Sequence, residues 1–270
     1  MRGPDAERKR DGSRSSLVWD VLAEVIAGRA RQTGRTAIDI VDVGAGTGGF
    51  AVSLAAVGHR VTVVDPSPDA LAAARWRAAE AGVTLTEVQG EAGDLPALVG
   101  EPAKGEAGAD LVICHNVLEY VDSPPTALAA IARILRPGGT VSVLAANTVA
   151  AVLQRALAGK YAEARAMLPS GPASGAAPGP QARAAQARAA QGSQMAGLAR
   201  RFTLPELAAL IEGAGLRVGD AHGIRVFSGL LPGAPADLAA VEALRELEEA
   251  AASCPPLRDI AARLHVLGHR

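Results

Sequence analysis

Short runs of β-branched and aliphatic residues alternate along the first half of the chain with longer stretches in which apolar side chains return every three or four positions. Ile38 to Val43, Val61 to Val64, Val83 to Val88, Leu111 to Cys114 and Thr140 to Leu144 read as five strands. Ranges 48–58, 68–81 and 125–135 read as helices between them, with a short apolar stretch near 95–99. Continuously apolar strands separated by helices predict a parallel sheet covered on both faces and joined by right-handed crossovers. A further helix, capped by Ser15 or Ser16, is expected ahead of the first strand through Leu17, Val18, Leu22, Val25 and Ile26.

After Asn147 the rhythm changes. A helix through Val152, Leu153, Leu157 and Met167 precedes 169–194, a stretch rich in Ala, Gly, Pro and Gln with few large apolar residues to offset its ordering entropy. Thr203-Leu204-Pro205-Glu206 is a capping box with proline in the first turn, opening a helix to Gly213. Leu216 to Phe227 and Arg263 to Leu267 read as the last two strands, separated by a helix over about 235–252 and a short one after Pro256. A hairpin-like pair formed by these strands would complete a doubly wound α/β fold with a mostly parallel seven-stranded sheet. The expected organisation is a tail over 1–13, a core over 14–146, a cap over 147–228 with a flexible 169–199 segment, and 229–270 closing the sheet.

Composition narrows the function. The 270 residues suffice for one decorated α/β domain. Apolar residues make up 49% and aromatics only 3%, so Ala, Val and Leu must fill the core. A net charge of −1 gives no global attraction to nucleic acid, so any such contact needs a local patch. Cys114 and Cys254 form no metal-ligand spacing or disulfide framework. No apolar run reaches the ~18 residues of a membrane span. The charged stretch from Met1 to Arg14 lacks the apolar core of a secretory signal, so a cytoplasmic location is expected.

The candidate chemistry lies in Val41-Asp42-Val43-Gly44-Ala45-Gly46-Thr47-Gly48-Gly49-Phe50. Glycines between a strand and a helix let the backbone approach a ligand closely, and the helix start offers free N–H groups. Asp65, about 20 residues beyond Gly44, stands where a ribose-binding acid belongs. Gly44, Gly46 and Gly49 also satisfy the dinucleotide pattern. Asp42, however, places negative charge where a pyrophosphate would sit, and the same charge suits an ammonium and a sulfonium. Arg133-Ile134-Leu135-Arg136-Pro137-Gly138-Gly139-Thr140-Val141 follows as a helix end, tight turn and fifth strand. Together these motifs resemble the class I S-adenosylmethionine-dependent methyltransferases over roughly residues 36–146.

That resemblance implies S-adenosylmethionine as cofactor. Asp65 would accept from both ribose hydroxyls, and Pro66 would stiffen the loop against the adenine. Asp94, just past the third strand, would hold the adenine amine. His115 ends the fourth strand where the reactive methyl should point, and could orient the methionine end or a substrate oxygen as the catalytic residue; a purely structural histidine is the competing reading. Cys114, one residue earlier, should face the core. Helix-one Trp19 behind Arg14, the run His115-Asn116-Val117-Leu118-Glu119-Tyr120, Gly159-Lys160-Tyr161, Gly223-Ile224-Arg225-Val226-Phe227 and Leu244-Arg245-Glu246-Leu247-Glu248 are more narrowly similar to bacterial tRNA 5-carboxymethoxyuridine methyltransferases. Carried over residue by residue, this resemblance implies a cofactor held by Arg14, Gly44 with Ala45, Asp65, Ala92 with Gly93, and His115. Gly46 and Gly48 complete the loop, and Lys160, Arg201 and Arg225 are the cations expected at the substrate. The family's basic stretch is here mostly Ala, Gly, Pro and Gln, which weakens phosphate attraction. The acceptor is therefore either tRNA, through a carboxylate that needs no general base, or a small molecule at O or N. A non-catalytic cofactor-binding protein is the third reading.

Overall fold

A computed structural model describes residues 16–104, 107–168, 199–231 and 237–270. The first helix, α1 (Ser16–Thr33), buries Val18, Leu22 and Ile26. The chain then alternates β1 (Asp39–Val43), α2 (Gly49–Ala56), β2 (Arg60–Asp65), α3 (Pro68–Glu80), β3 (Thr86–Gln89), α4 (Leu95–Val99), β4 (Ala109–His115), α5 (Pro124–Ile134) and β5 (Leu135–Ala146). Helices α6 (Thr148–Leu157), α7 (Tyr161–Ala166) and α8 (Leu204–Gly213) precede β6 (Arg217–Ile224), α9 (Leu238–Ala252) and β7 (Arg263–His269).

The seven strands form one sheet in the order β3-β2-β1-β4-β5-β7-β6. Pairing is parallel from β3 through β5, whereas β7 runs antiparallel to both β5 and β6. The sheet is thus Rossmann-like but mixed: the final strand enters between β5 and β6 rather than joining the parallel set. Chain order reverses between β1 and β4, and the crevice beyond the carboxyl ends of these strands is where such sheets bind ligands. Alternate strand residues face opposite ways. Val41, Val43, Val112, Cys114, Val143 and Val266 pack with α5 and α8, while Ile40, Val63, Leu111, Ile113 and Leu144 pack with α1, α2 and α3. Cys114 is fully buried, in keeping with a packing role.

Several boundaries differ from the sequence reading for local reasons. Strand β3 begins at Thr86 instead of Val83, because the Val83 N–H closes the end of α3 on the Ala78 carbonyl. The helix expected after Asn147 is two helices, broken at Gly159, whose φ is 74°. Strand β6 stops at Ile224 rather than Phe227. Arg225 adopts φ 61°, and Glu248 of α9 accepts the next three N–H groups, from Val226, Phe227 and Ser228. Since β6 pairs within the sheet, only the earlier part of 147–228 lies outside it. The calls on Arg14 and on the 169–198 stretch fall outside the described residues. Among those residues no helix is long and apolar enough to cross a membrane, and no group of His, Cys, Asp and Glu could hold a metal ion.

At the opposite, amino-terminal edge of the sheet, Asp110 is a fully buried charge that binds Arg29, Arg35 and Arg136 and the Asp39 N–H. Burial pushes its carboxyl up, but these partners together hold it below the usual carboxylate range. Removing one member of a buried ion cluster strands the others. Asp110→Ala should therefore cost about 3–5 kcal/mol in urea unfolding. Arg75→Ala, which breaks an exposed pair with Glu87, should leave the urea unfolding midpoint nearly unchanged.

Candidate functional site

The glycine loop lies at the carboxyl end of β1. Gly44, Gly46 and Gly48 have φ of 62°, 54° and 74°, values that L side chains rarely adopt. Their surroundings differ. A Cβ on Gly44 would lie 2.6 Å from Val117 Cγ2, and one on Gly48 would lie 2.9 Å from Ala74 Cβ. A Cβ on Gly46 would meet nothing within 4 Å. Gly44 and Gly48 are thus small for packing, whereas Gly46 borders open space. The loop is fastened by Gly44 N–H to the Val64 carbonyl at 2.7 Å and Gly48 N–H to the Ala45 carbonyl at 2.9 Å.

Asp65 joins this loop to the end of β2. Its Oδ2 accepts the Gly46 N–H at 3.0 Å and its Oδ1 the Ser67 N–H at 2.9 Å. Its own carbonyl accepts from Gly90, which leads into the turn Ala92–Asp94 after β3. Ala92 is buried, while Gly93, Asp94 and Pro66 are exposed around the same edge. Asp42 is buried beneath the loop. Burial, reinforced by the Asp65 charge, pushes its carboxyl up to about 7, against a backbone hydrogen bond from Ala51.

On the β4 side, Val43 pairs with Cys114, so His115 stands beside the glycine loop. The Phe50 ring, in the first turn of α2, meets the His115 ring edge-on at 5.1 Å and stacks on Trp19 at 4.9 Å. His115 Nε2 is 2.7 Å from Ser142 Oγ, and burial lowers the imidazole to about 3. Asn116 follows with φ 57° and accepts from Arg263. Glu119 is buried: its Oε1 takes the Ala146 N–H at 2.8 Å, and its Oε2 has no hydrogen-bond partner among the described residues. Burial raises its pKa, opposed by hydrogen bonds from its own backbone and Ala146 and by the charges of Arg263 and Arg201.

The three cations expected at the substrate make mainly local contacts. Lys160 pairs with Glu163 at 3.5 Å, Arg225 donates to the Ser228 carbonyl at 3.4 Å, and Arg201 donates to the Ala199 carbonyl at 3.3 Å. Arg201 alone of these is among the charges acting on Glu119.

Residues 41–143 match the family model described as "Methyltransferase domain". The chain is 28% identical over 158 residues to the tRNA 5-carboxymethoxyuridine methyltransferase of Escherichia coli (strain K12), covering 58% of this chain and 57% of that one. It is 32% identical over 152 residues to the ubiquinone biosynthesis O-methyltransferase of Xanthomonas axonopodis pv. citri, covering 56% and 59%. The matched segment thus spans less than two thirds of either relative. Among solved structures, the plantazolicin methyltransferase, crystallised with SAH, superposes with a TM-score of 0.55 at 14% identity, covering 98% of this chain and 89% of that one.

Residues 41–143 thus match a methyltransferase domain, and the relatives and the fold support the class I S-adenosylmethionine-dependent kind for that segment. Sequence reasoning singled out His115 but missed Ser142 and His265 as its neighbours. Both are polar residues inside buried strands, a signal the β5 and β7 patterns did contain. Glu119 was quoted only as part of a motif, and its burial depends on the tertiary packing.

Asp42 yields a pH-dependent outcome for the methyltransferase domain without ligand. A carboxyl whose pKa is raised on folding contributes stability that is full below about pH 4 and lost as pH rises through about 7. Asp42→Asn removes that slope. Between pH 4 and pH 8 the variant should gain about 4 kcal/mol on the wild type in urea unfolding. Parallel pH profiles for the two proteins would disprove the buried, protonated carboxyl.

Proposed function

We propose that the chain binds S-adenosylmethionine at the glycine loop and transfers its methyl group to an oxygen of an acceptor. The observation that carries this reading is the Asp65–Gly46 bond at a glycine facing open space. Each Asp65 oxygen accepts one backbone N–H, so each keeps lone-pair capacity for a ribose hydroxyl. Pro66 and the Ala92–Asp94 turn, with Gly93 and Asp94 exposed, would flank the adenine. Ala45 and Gly48 would shape the loop, and Asp42 would face the ammonium and sulfonium. Arg14 completes the proposed cofactor set. When bound, the cofactor supplies an electrophilic methyl on positively charged sulfur. The domain's part is to hold the acceptor oxygen in line with that methyl, which can contribute several kcal/mol, with His115 beside it.

The acceptor side is proposed to lie between the end of β4 and a cap that includes α6, α7 and Arg201. Among the described residues, cations available there for a polyanion are limited. Lys160 and Arg155 share Glu163, and Arg200 is spent on the carbonyls of Leu118 and Val121. This favours a small molecule held by one or two cations, with Arg201 and Arg225 the candidates. The tRNA carboxylate reading is supported by the likeness to the Escherichia coli enzyme.

Asp65→Ala should weaken SAH binding by about two orders of magnitude or more in calorimetry, because two charged hydrogen bonds are lost. Unchanged affinity in a folded variant would remove the site assignment. Incubation with methyl-labelled cofactor and either bulk tRNA or a small-molecule extract of the native host separates the acceptors. Label is expected in the extract, whereas label in a carboxymethoxyuridine ester would establish the tRNA reading instead.

A further inference from the structure

The chain has only two tryptophans, two tyrosines and three phenylalanines, so its core is filled almost without rings. Trp76, Tyr120 and Tyr161 stand exposed on the surface, and Phe202 is buried in the main core. Trp19 and Phe50 do neither. They stack at 4.9 Å between α1 and the first turn of α2, and the His115 ring meets Phe50 edge-on at 5.1 Å. Ala45 of the glycine loop packs against the same core cluster as Trp19 and Phe50. Trp19, Phe50 and His115 are each only partly buried, so the group borders the loop without being sealed inside the protein.

His115 does not present a nitrogen to this corner. Its Nε2 is taken by Ser142 Oγ at 2.7 Å, and its Nδ1 is shielded from solvent with no hydrogen-bond partner among the described residues. Any contact its side chain makes with a ligand is therefore through ring carbon. Ser142 Oγ also lies 2.7 Å from His265 Nε2, which holds the imidazole in one orientation from behind. Burial lowers the imidazole to about 3, so the ring is uncharged at neutral pH and does not repel a cation.

We propose that Trp19, Phe50 and His115 form an aromatic wall that attracts the sulfonium of the bound methyl donor through ring surface, and so makes the site prefer the donor to its thioether product. This rests on the reading of the glycine loop as the cofactor site with the methyl beside His115. Aromatic faces carry negative charge density, and a cation against them is held more strongly where water is excluded. In the transfer, the methyl carbon bonds to the acceptor oxygen, the carbon–sulfur bond breaks, and its electron pair stays on sulfur. The charge that the wall attracts is then gone. Contacts to ribose and adenine cannot tell the two forms apart, because those groups are identical in both. A preference of this kind stabilises the ground state and does not lower the barrier. Its use is to clear the product from a site that otherwise grips donor and product alike.

Calorimetry with S-adenosylmethionine and with SAH measures the preference without an acceptor. The wild type should bind the sulfonium form about tenfold more tightly. Phe50→Leu keeps Asp42 and Asp65, so a ratio that falls towards one while SAH still binds belongs to the rings and not to those carboxyls. His115→Phe, a ring without nitrogens, should keep the preference, whereas His115→Gln, a hydrogen-bonding group without a ring, should lose it. Equal affinities in the wild type, an unchanged ratio in Phe50→Leu, or retention by His115→Gln with loss in His115→Phe would overturn the wall. A second measurement holds if those variants do not fold. Trp76→Phe, at an exposed position on α3, leaves Trp19 as the remaining tryptophan. Its fluorescence should respond more to S-adenosylmethionine than to SAH, and equal responses at saturation would overturn the wall. Failure of the wild type to bind either form would instead overturn the underlying reading of the cofactor site.

Discussion

The arrangement of the site depends on one carboxylate. Asp65 ends β2 with its side chain buried, and its two oxygens hold the Gly46 N–H on one side and the Ser67 N–H on the other. The first bond fixes the loop after β1; the second fixes the chain entering α3. Through its carbonyl, Asp65 also receives Gly90 and so the loop after β3. Three consecutive strand ends are thereby set by one residue. A buried carboxylate needs such partners, which is why the loop conformation and the charge stabilise each other.

Asp42 shows the other side of that arrangement. It is held below the loop with only a backbone hydrogen bond to favour its ionised form, and its neighbour Asp65 carries the same sign. The pair is unfavourable in the protein alone and would be relieved by a cation, so stability is given up where a positively charged ligand would restore it. The opposite edge of the sheet is built differently. There Asp110 and Asp39 are matched by Arg29, Arg35, Arg60 and Arg136, and burial of charge is fully compensated. One edge is electrostatically complete and structural; the other holds polar atoms without a hydrogen-bond partner among the described residues, at His115, Glu119 and His265.

Much of this was legible before the tertiary structure. Strand and helix order followed from hydrophobic periodicity, and the errors were at element boundaries, set by a helix end at Val83, by Gly159 and by one longer-range contact from Glu248. Glu248 ended β6 early by taking three of its successors' N–H groups, and the end of α3 consumed the start of the expected β3. Cys114 was read as core from its place one residue before the strand end and the usual burial of free cysteine, and it is fully buried. The substrate cations were the least legible. Whether Lys160 or Arg201 is available depends on which acid lies nearby, and sequence spacing reveals only the Lys160–Glu163 pair.

By itself, the sequence determined the glycine loop, the acid after it, the apolar strands and the histidine at the end of β4, because each depends on local backbone geometry and on residues close in the chain. Only the tertiary structure decided that β7 enters antiparallel between β5 and β6. That insertion sets Ser142 between His115 and His265, residues drawn from three strands. No local periodicity encodes such a contact, since it follows from which strand edge remains open for hydrogen bonding after the parallel part of the sheet has formed.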